Sequence, residues 1–281
     1  MTNGIDVYKG NGKIDWQKVK ESGIDFAMVK ASQGRGEGAS SRGAYLFPDA
    51  NLSANLIGAT EVGIKCGVWH WLTAKTVHEA KVEADYFIET IRQHKKRIAL
   101  WAAVDVESPL LPTSKTLLTS IVKAFMERVE AARYKPMLYT NPNFLTYRYT
   151  PGAFDDADIW LAHHGAPKPM NVPNLKIWQY TSVGTEADVA RGWALTPSGR
   201  IPGINAACDV NVGYFDLPPA IIYKPAYKVG GKYTIRPGDV YIYSNGRTSP
   251  VPDTLIDKEY TISQVKEGKI LLREIVSWVK I

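Results

Sequence analysis

Short apolar runs rich in β-branched and aromatic residues recur along the first three-quarters of the chain, and the early ones are separated by stretches of helical periodicity. Eight such runs read as strands: Gly4–Tyr8, Asp25–Lys30, Gly67–Leu72, Ile98–Asp105, Lys135–Thr140, Asp158–His163, Leu175–Tyr180 and Ala207–Val212. Between them, Asp15–Ser22 opens on an Asp that can cap a helix, and Ala50–Val62 carries apolar residues at helical spacing. Thr76–His94 aligns Ala80, Ala84, Phe87 and Ile91 on one stripe, and Lys115–Arg133 aligns Leu118, Ile121, Val122 and Phe125. Strand–helix alternation implies parallel strands joined by crossovers. Eight strands in about 215 residues suit a closed, TIM-barrel-like (β/α) barrel of the α/β class. The last three connections show no clear helix, so the expected barrel is irregular, regular in its first half and degraded in its second.

The pattern then changes. Phe215–Pro225 holds three prolines in eleven residues and no period, which marks a boundary. We place one domain at 1–218, a linker at 219–225 and a small domain at 226–281. In the last of these, short alternating segments (Tyr233–Arg236, Val240–Tyr243, Tyr260–Val265 and Ile270–Leu272, ending in Ile275–Ile281) lie among turns at Gly230-Gly231, Pro237-Gly238 and Asn245-Gly246, which predicts a small all-β barrel.

Charge divides along the same line. From Lys224 onward ten Lys/Arg face six Asp/Glu, so +4 of the chain's net +6 sits in the tail. Such a tail attracts polyanions at long range. Nucleic acid is one candidate, although no nucleic-acid-binding motif accompanies the tail, and anionic cell-wall polymers are the other. No apolar run approaches the roughly 18 residues of a membrane span, and no signal-peptide pattern opens the chain, which predicts synthesis in the cytoplasm. Cys66 and Cys208 each lie in an apolar run and read as buried thiols. No metal-ligand spacing appears, and no cofactor is expected: His163 and His164 are adjacent and face opposite ways on a strand. The protein is expected to act as a monomer.

The chemistry concentrates in acids. Asp105-Val106-Glu107 follows the apolar run IALWAAV. Two residues apart on a strand, the carboxylates share a face, at the strand end where barrel sites lie. Neighbouring acids cannot both ionise freely, so one keeps its proton, and a protonated carboxyl is what glycosidic cleavage requires. Asp6 sits within GIDVY in the first strand and Asp209 within CDVNV in the last. First and last strands of a closed barrel are neighbours, so these two should meet and face the other pair across the mouth. The bland alternatives are a solvated loop for Asp105 and Glu107, and caps or turns for Asp6 and Asp209.

GIDVYKGNGKIDWQKVKESGIDFAMVKASQG, GVWHWL, AAVDVES, KPMLYTN, IWLAHHG, KIWQYTS and CDVNVGYF occur in that order over residues 4–215. The set resembles glycoside hydrolase family 25, the lysozymes of many phage endolysins. The resemblance implies a β-1,4 cut between N-acetylmuramic acid and N-acetylglucosamine of bacterial peptidoglycan. By position it makes Glu107 the general acid, with Asp6, Asp105 and Asp209 as the other carboxylates. It places Lys30, Trp69, Tyr139 and Trp178 along the sugar groove. Trp69 and Trp71 stand where the family has smaller aromatics, and Thr185–Asn205 is longer than usual. The tail resembles bacterial SH3-like wall-binding domains through KVGGKYTIRPGDVYIYSNG and YTISQVKEGKILLREIVSWV, with Tyr233, Tyr241, Tyr243 and Trp278 as a possible aromatic groove. Rival readings are a non-catalytic wall-binding lectin and a chitinase-like glycosidase. The lectin has no use for a protonated acid, and the chitinase signature is longer than AAVDVES.

Overall fold

The computed structural model describes residues 1–34, 46–181, 201–219, 227–266 and 269–280. The chain separates into two compact units, Met1–Tyr223 and Lys224–Ile281. In the first, nine strands form one sheet: β1 Thr2–Val7, β2 Phe26–Gln33, β3 Phe47–Pro48, β4 Lys65–Trp71, β5 Ile98–Asp105, β6 Lys135–Thr140, β7 Ile159–Ala162, β8 Leu175–Thr181 and β9 Asp209–Gly213. Their order is β1-β9-β8-β7-β6-β5-β4-β2-β3, and β1 also pairs with β2, so eight strands close into a barrel with the two-residue β3 at its rim.

The seven strands from β1 to β8 other than β3 run parallel, as the strand–helix alternation predicts. The eighth does not: β9 is antiparallel to both β8 and β1. The expectation of an all-parallel barrel is corrected here. The reversal matters for the site, because the first residue of β9, Asp209, lies at the end of the barrel where the other strands finish, and its register partner is Asp6.

Helices α1 Trp16–Glu21, α2 Leu52–Glu61, α3 Val77–Arg92 and α4 Lys115–Ala131 fall within the expected segments. Asp15, Thr76 and Ser114 each accept a backbone N–H in the first turn of α1, α3 and α4. A fifth helix, α5 Pro142–Tyr147, corrects the expectation that the connection after β6 has none. It is one and a half turns long, too short for a periodic stripe, and its signal is local: an Asn141 cap followed by Pro142. The stretch 182–200, which includes most of the expected insertion, lies outside the described residues.

Strand alternation sorts the apolar residues into two cores. Ile5, Val7, Val29, Val68, Val104 and Leu138 face outward and bury the apolar stripes of the helices, including Phe87 and Phe125. Phe26, Met28, Trp69, Trp101, Met137, Trp160 and Ile177 face inward and fill the barrel. The amino-terminal end of the barrel is closed by aromatics: Phe215 packs edge-on against Phe26 and Trp101, with ring centroids 5.3 and 4.7 Å apart. Gly4 leaves no room for a Cβ here because the Phe26 ring occupies that space. Phe215 and Leu217 therefore belong to the barrel, so the boundary segment beginning at Phe215 starts as part of the packed domain. Residues 220–226, nearly all of the expected linker, lie outside the described residues.

One polar cluster sits in the outer core. His70 is fully buried, with Nδ1 2.8 Å from Ser32 Oγ and Nε2 2.9 Å from Glu83 Oε2. Glu83 also accepts from the Thr73 backbone at 3.1 Å and from the Thr73 hydroxyl at 3.0 Å. The cluster ties α3 to the ends of β2 and β4. Replacing His70 by Ala strips Glu83 and Ser32 of a partner where water has no access, and removes the ring stacked on Phe125. We expect a loss of about 3 kcal/mol or more, read as a fall in thermal midpoint of roughly 2–4 °C per kcal/mol.

The second unit is a six-stranded antiparallel sheet in the order β10-β13-β14-β15-β11-β12, from β10 Lys232–Thr234, β11 Val240–Ile242, β12 Thr248–Pro250, β13 Glu259–Lys266, β14 Lys269–Leu272 and β15 Ser277–Lys280. Ile235, Val251, Tyr260, Ile262, Ile270, Leu272 and Val279 form its core. Only β12 has no counterpart among the expected segments. The four aromatics read as a groove do not share a face. Tyr233 and Tyr241 pack on the core, whereas Trp278 neighbours the inward-facing Val279 and so points outward.

Candidate active site

Asp6 lies on the inward face of β1, where a lone carboxylate is costly, and two amides answer it. Gln179 of β8 donates to Asp6 Oδ2 at 2.9 Å, and Asn211 of β9 donates to the same oxygen at 2.8 Å. Asn211 is itself held by the Trp160 indole N–H, at 2.8 Å. Asp209 hydrogen-bonds to Asp6 from the facing register position. Burial and the Asp6 charge push the Asp209 carboxyl up to about 9. Burial also raises Asp6, but its two amide donors and its bond from Asp209 oppose that rise. The pair thus holds one proton near neutral pH, carried by Asp209, with Asp6 as the ionised partner.

The other two acids come from β5. Asp105 is the last residue of the strand and points inward, 3% exposed. Burial, then the neighbouring Glu107, lifts it well above the usual carboxylate range. Its Oδ1 and the Trp69 indole N–H are buried polar atoms with no hydrogen-bond partner among the described residues. Glu107, two residues on, is half-buried. Burial raises it first and the charge of Asp6 second, while Tyr139 O–H, 3.5 Å from Glu107 Oε2, works against the rise. The Asp6 and Asp209 charges also act on Asp105, so the four carboxyls occupy one cleft at the carboxyl end of the parallel strands.

Tyr139 O–H lies closer to Gln179 Oε1, at 3.0 Å, and His164 Nε2 meets that same oxygen at 2.8 Å. Gln179 therefore joins Tyr139 and His164 to Asp6. Lys30, inward on β2, has its ammonium 4.8 Å from the Trp69 ring centre and 5.3 Å from that of Trp71. Burial lowers its pKa, and the Asp105 charge resists that.

Seven of the eight residues expected at the site thus lie together: Asp6, Asp105, Glu107, Asp209, Lys30, Trp69 and Tyr139. Trp178 does not join them. Alternation on β8 turns Gln179 into the barrel and Trp178 outward, where it packs in the outer core and donates to His163 O at 3.0 Å. Gln179, Asn211 and His164 are the residues that sequence reasoning missed. Their signal was present: a Gln and an Asn embedded in apolar strands at inward positions need a polar neighbour as much as Asp6 does. Both thiols are buried and unpaired, and burial raises Cys66 to about 12, so neither is a nucleophile.

The family model for glycosyl hydrolases family 25 matches residues 5–189. The chain belongs to that family. Among its relatives, the autolytic lysozyme of Clostridium acetobutylicum is 26% identical over 235 residues, which is 84% of this chain and 60% of that protein. This chain thus spans well under two-thirds of that relative's length. The bacterial lysozyme of Streptomyces coelicolor superposes with a TM-score of 0.59 at 23% identity, covering 76% of this chain and 92% of the other. The CTP1L endolysin gives the same TM-score at 21% identity, covering 76% of this chain and 66% of its own. The structural likenesses establish that this family 25 member has the family's barrel.

Proposed function

We propose that the barrel is a muramidase that hydrolyses the β-1,4 bond between N-acetylmuramic acid and N-acetylglucosamine in bacterial peptidoglycan. The observation that carries this reading is the four-carboxyl cleft with Glu107 half-buried and its pKa raised. Glu107 keeps a proton to higher pH than a solvated Glu and gives it to the glycosidic oxygen as the C–O bond breaks. Positive charge then develops on the sugar ring, and Asp6, ionised and fixed by Gln179 and Asn211, stabilises it at no reorganisation cost. Asp209 supplies the proton that keeps the pair at a single negative charge. Asp105 Oδ1 and the Trp69 N–H, without a partner among the described residues, suit sugar hydroxyl and acetamido groups. Lys30, Trp69 and Trp71 form the wall on which a sugar ring stacks.

We further propose an endolysin-type role in cell lysis, with residues 226–281 as an SH3-like wall-binding domain and 219–225 as the linker. The test is product analysis after incubation with purified Gram-positive walls. New reducing ends on muramic acid, with no new amino groups, support the muramidase. Reducing ends on glucosamine, or binding without any new ends, refute it, and the latter outcome favours the lectin.

Gln179 is a positioning residue in this mechanism. Gln179→Ala should lower kcat by about 10–100-fold with little change in KM, because Asp6 loses its orientation. The same change removes a donor that lowers the Asp6 pKa. The acidic limb of the pH–rate profile should therefore move to higher pH, and a profile of unchanged shape would assign Gln179 a merely structural part.

A further inference from the structure

The outer face of the second unit carries a feature that folding does not explain. Lys266 of β13 pairs directly with Lys269 of β14, and Lys269 pairs directly with Lys280 of β15. Like charges in directly opposed positions destabilise a sheet. Lysines often guard exposed sheet edges, but β14 lies inside the sheet, between β13 and β15. Among the described residues no carboxylate pairs with any of the three. Their partner is instead an indole: Lys266 Nζ and Lys269 Nζ lie 5.2 and 5.0 Å from the Trp278 ring centre. Trp278 faces Leu271 across the strand pair, one step along the same outward face, because Ile270 and Val279 point into the core.

We propose that this face is a binding site for a phosphate-bearing wall polymer, a polyol or sugar phosphate chain. The proposal rests on the wall-directed function above. Three charges on strands about 4.8 Å apart converge on one patch. They are ammonium groups on flexible stems, with none of the fixed forks that arginine would bring, which fits repeated phosphates lacking a set geometry. Trp278 lies beside them as an apolar plate for the carbon segments between phosphates. In the free protein Lys266 and Lys269 lie over that ring in a weak contact, so that moving them to phosphate both neutralises their repulsion and uncovers the indole.

The experiment measures sedimentation of the full chain with three probes: intact Gram-positive walls, walls stripped of phosphate polymer by acid extraction, and single-stranded DNA at matched phosphate. A Glu107→Gln background keeps the walls whole. Replacing Lys266, Lys269 and Lys280 together by Gln should weaken binding to intact walls at least tenfold and reduce the salt slope of log affinity by about 2. On stripped walls the triple variant and its parent should bind alike. Each single change should give part of the loss, so a folding defect in the triple variant leaves the test standing. Trp278→Ala should weaken binding without changing the salt slope. Unchanged binding of the triple variant to intact walls overturns the proposal, as does equal binding of its parent to intact and stripped walls. DNA bound as tightly as intact walls also overturns it, showing a general polyanion surface. Hydrolysis of stripped walls by the unaltered protein reports separately on the muramidase.

Discussion

Replacing Glu107 by Gln should lower wall hydrolysis by about 10²–10⁴-fold, the range that general acid catalysis contributes. The change is nearly isosteric and the side chain is half-buried rather than part of either core, so the thermal midpoint should not fall, and loss of a carboxyl whose pKa is raised in the fold should if anything lift it at neutral pH. The loss should fall on kcat, since an amide at this position still contacts the sugar but has no proton to give. The unaltered enzyme should show the complementary pH dependence. Burial and the Asp6 charge lift the Glu107 carboxyl, so its acid form persists above the usual glutamate range and the rate should decline as pH rises through that higher value. A synthetic muramoside with a leaving group too good to need protonation gives the sharpest check. Glu107→Gln should cleave it nearly as fast as the parent does. Wild-type rates on walls in folded Glu107→Gln would remove Glu107 from the mechanism, and a variant equally dead on both substrates would assign it some other part.

The barrel was legible because its strands are sharply bounded. β5 and β6 have the expected limits, and the stripe from Ala80 to Ile91 lies on one buried face of α3. What the pattern could not convey was direction. A five-residue strand such as β9 has the same alternation read either way, and only its pairing with β1 and β8 shows that it runs backward. Phe215 and Leu217 carried no signal beyond opening an unpatterned boundary segment, because prolines follow them closely, yet an aromatic and a leucine beside a barrel opening close it by burial. In the tail, alternation located five of six strands but not the faces, so Tyr233, Tyr241 and Trp278 were grouped although Val279 separates inward from outward.

In the site, the acids were visible because carboxylates in apolar strands conflict with burial unless they have a purpose. Trp178 was misplaced for the complementary reason: an aromatic in a strand conflicts with nothing, and both barrel faces accept it. Its neighbour Gln179 was the informative residue, since parity on β8 puts the amide inside whenever the indole is outside. The same parity places Asn211 with Asp209. A barrel of alternating strands therefore carries its polar site as one set of positions of common parity, and reading parity from Asp6 and Asp105 outward would have recovered Gln179 and Asn211 from the chain alone.

Asp209→Asn should make the protein more stable and less active together. Asp209 is pushed up to about 9 in the fold from an ordinary value of 3.8. A folded carboxyl with a raised pKa stabilises fully below its unfolded value, and that stability is lost as pH rises toward the folded value. Between about pH 4 and 9 the folded chain must hold a proton that the unfolded chain releases, a cost that grows with pH. Asparagine is neutral throughout this window and can still donate a hydrogen bond to Asp6. The variant should match its parent in stability near pH 4 and exceed it by about 0.5–2 kcal/mol at pH 7–8, roughly 2–4 °C of thermal midpoint per kcal/mol. Turnover should nevertheless fall by about 10²-fold, because the proton shared with Asp6 can no longer shift as charge develops on the sugar, while sedimentation with walls should be nearly unchanged. The discriminating measurement is the difference in thermal midpoint between variant and parent across pH 4 to 9. A gap that widens with pH shows that the Asp6–Asp209 pair holds a proton in the fold that the variant no longer needs. A constant gap would show that the pair holds no such proton, and the single-charge pair would have to be withdrawn.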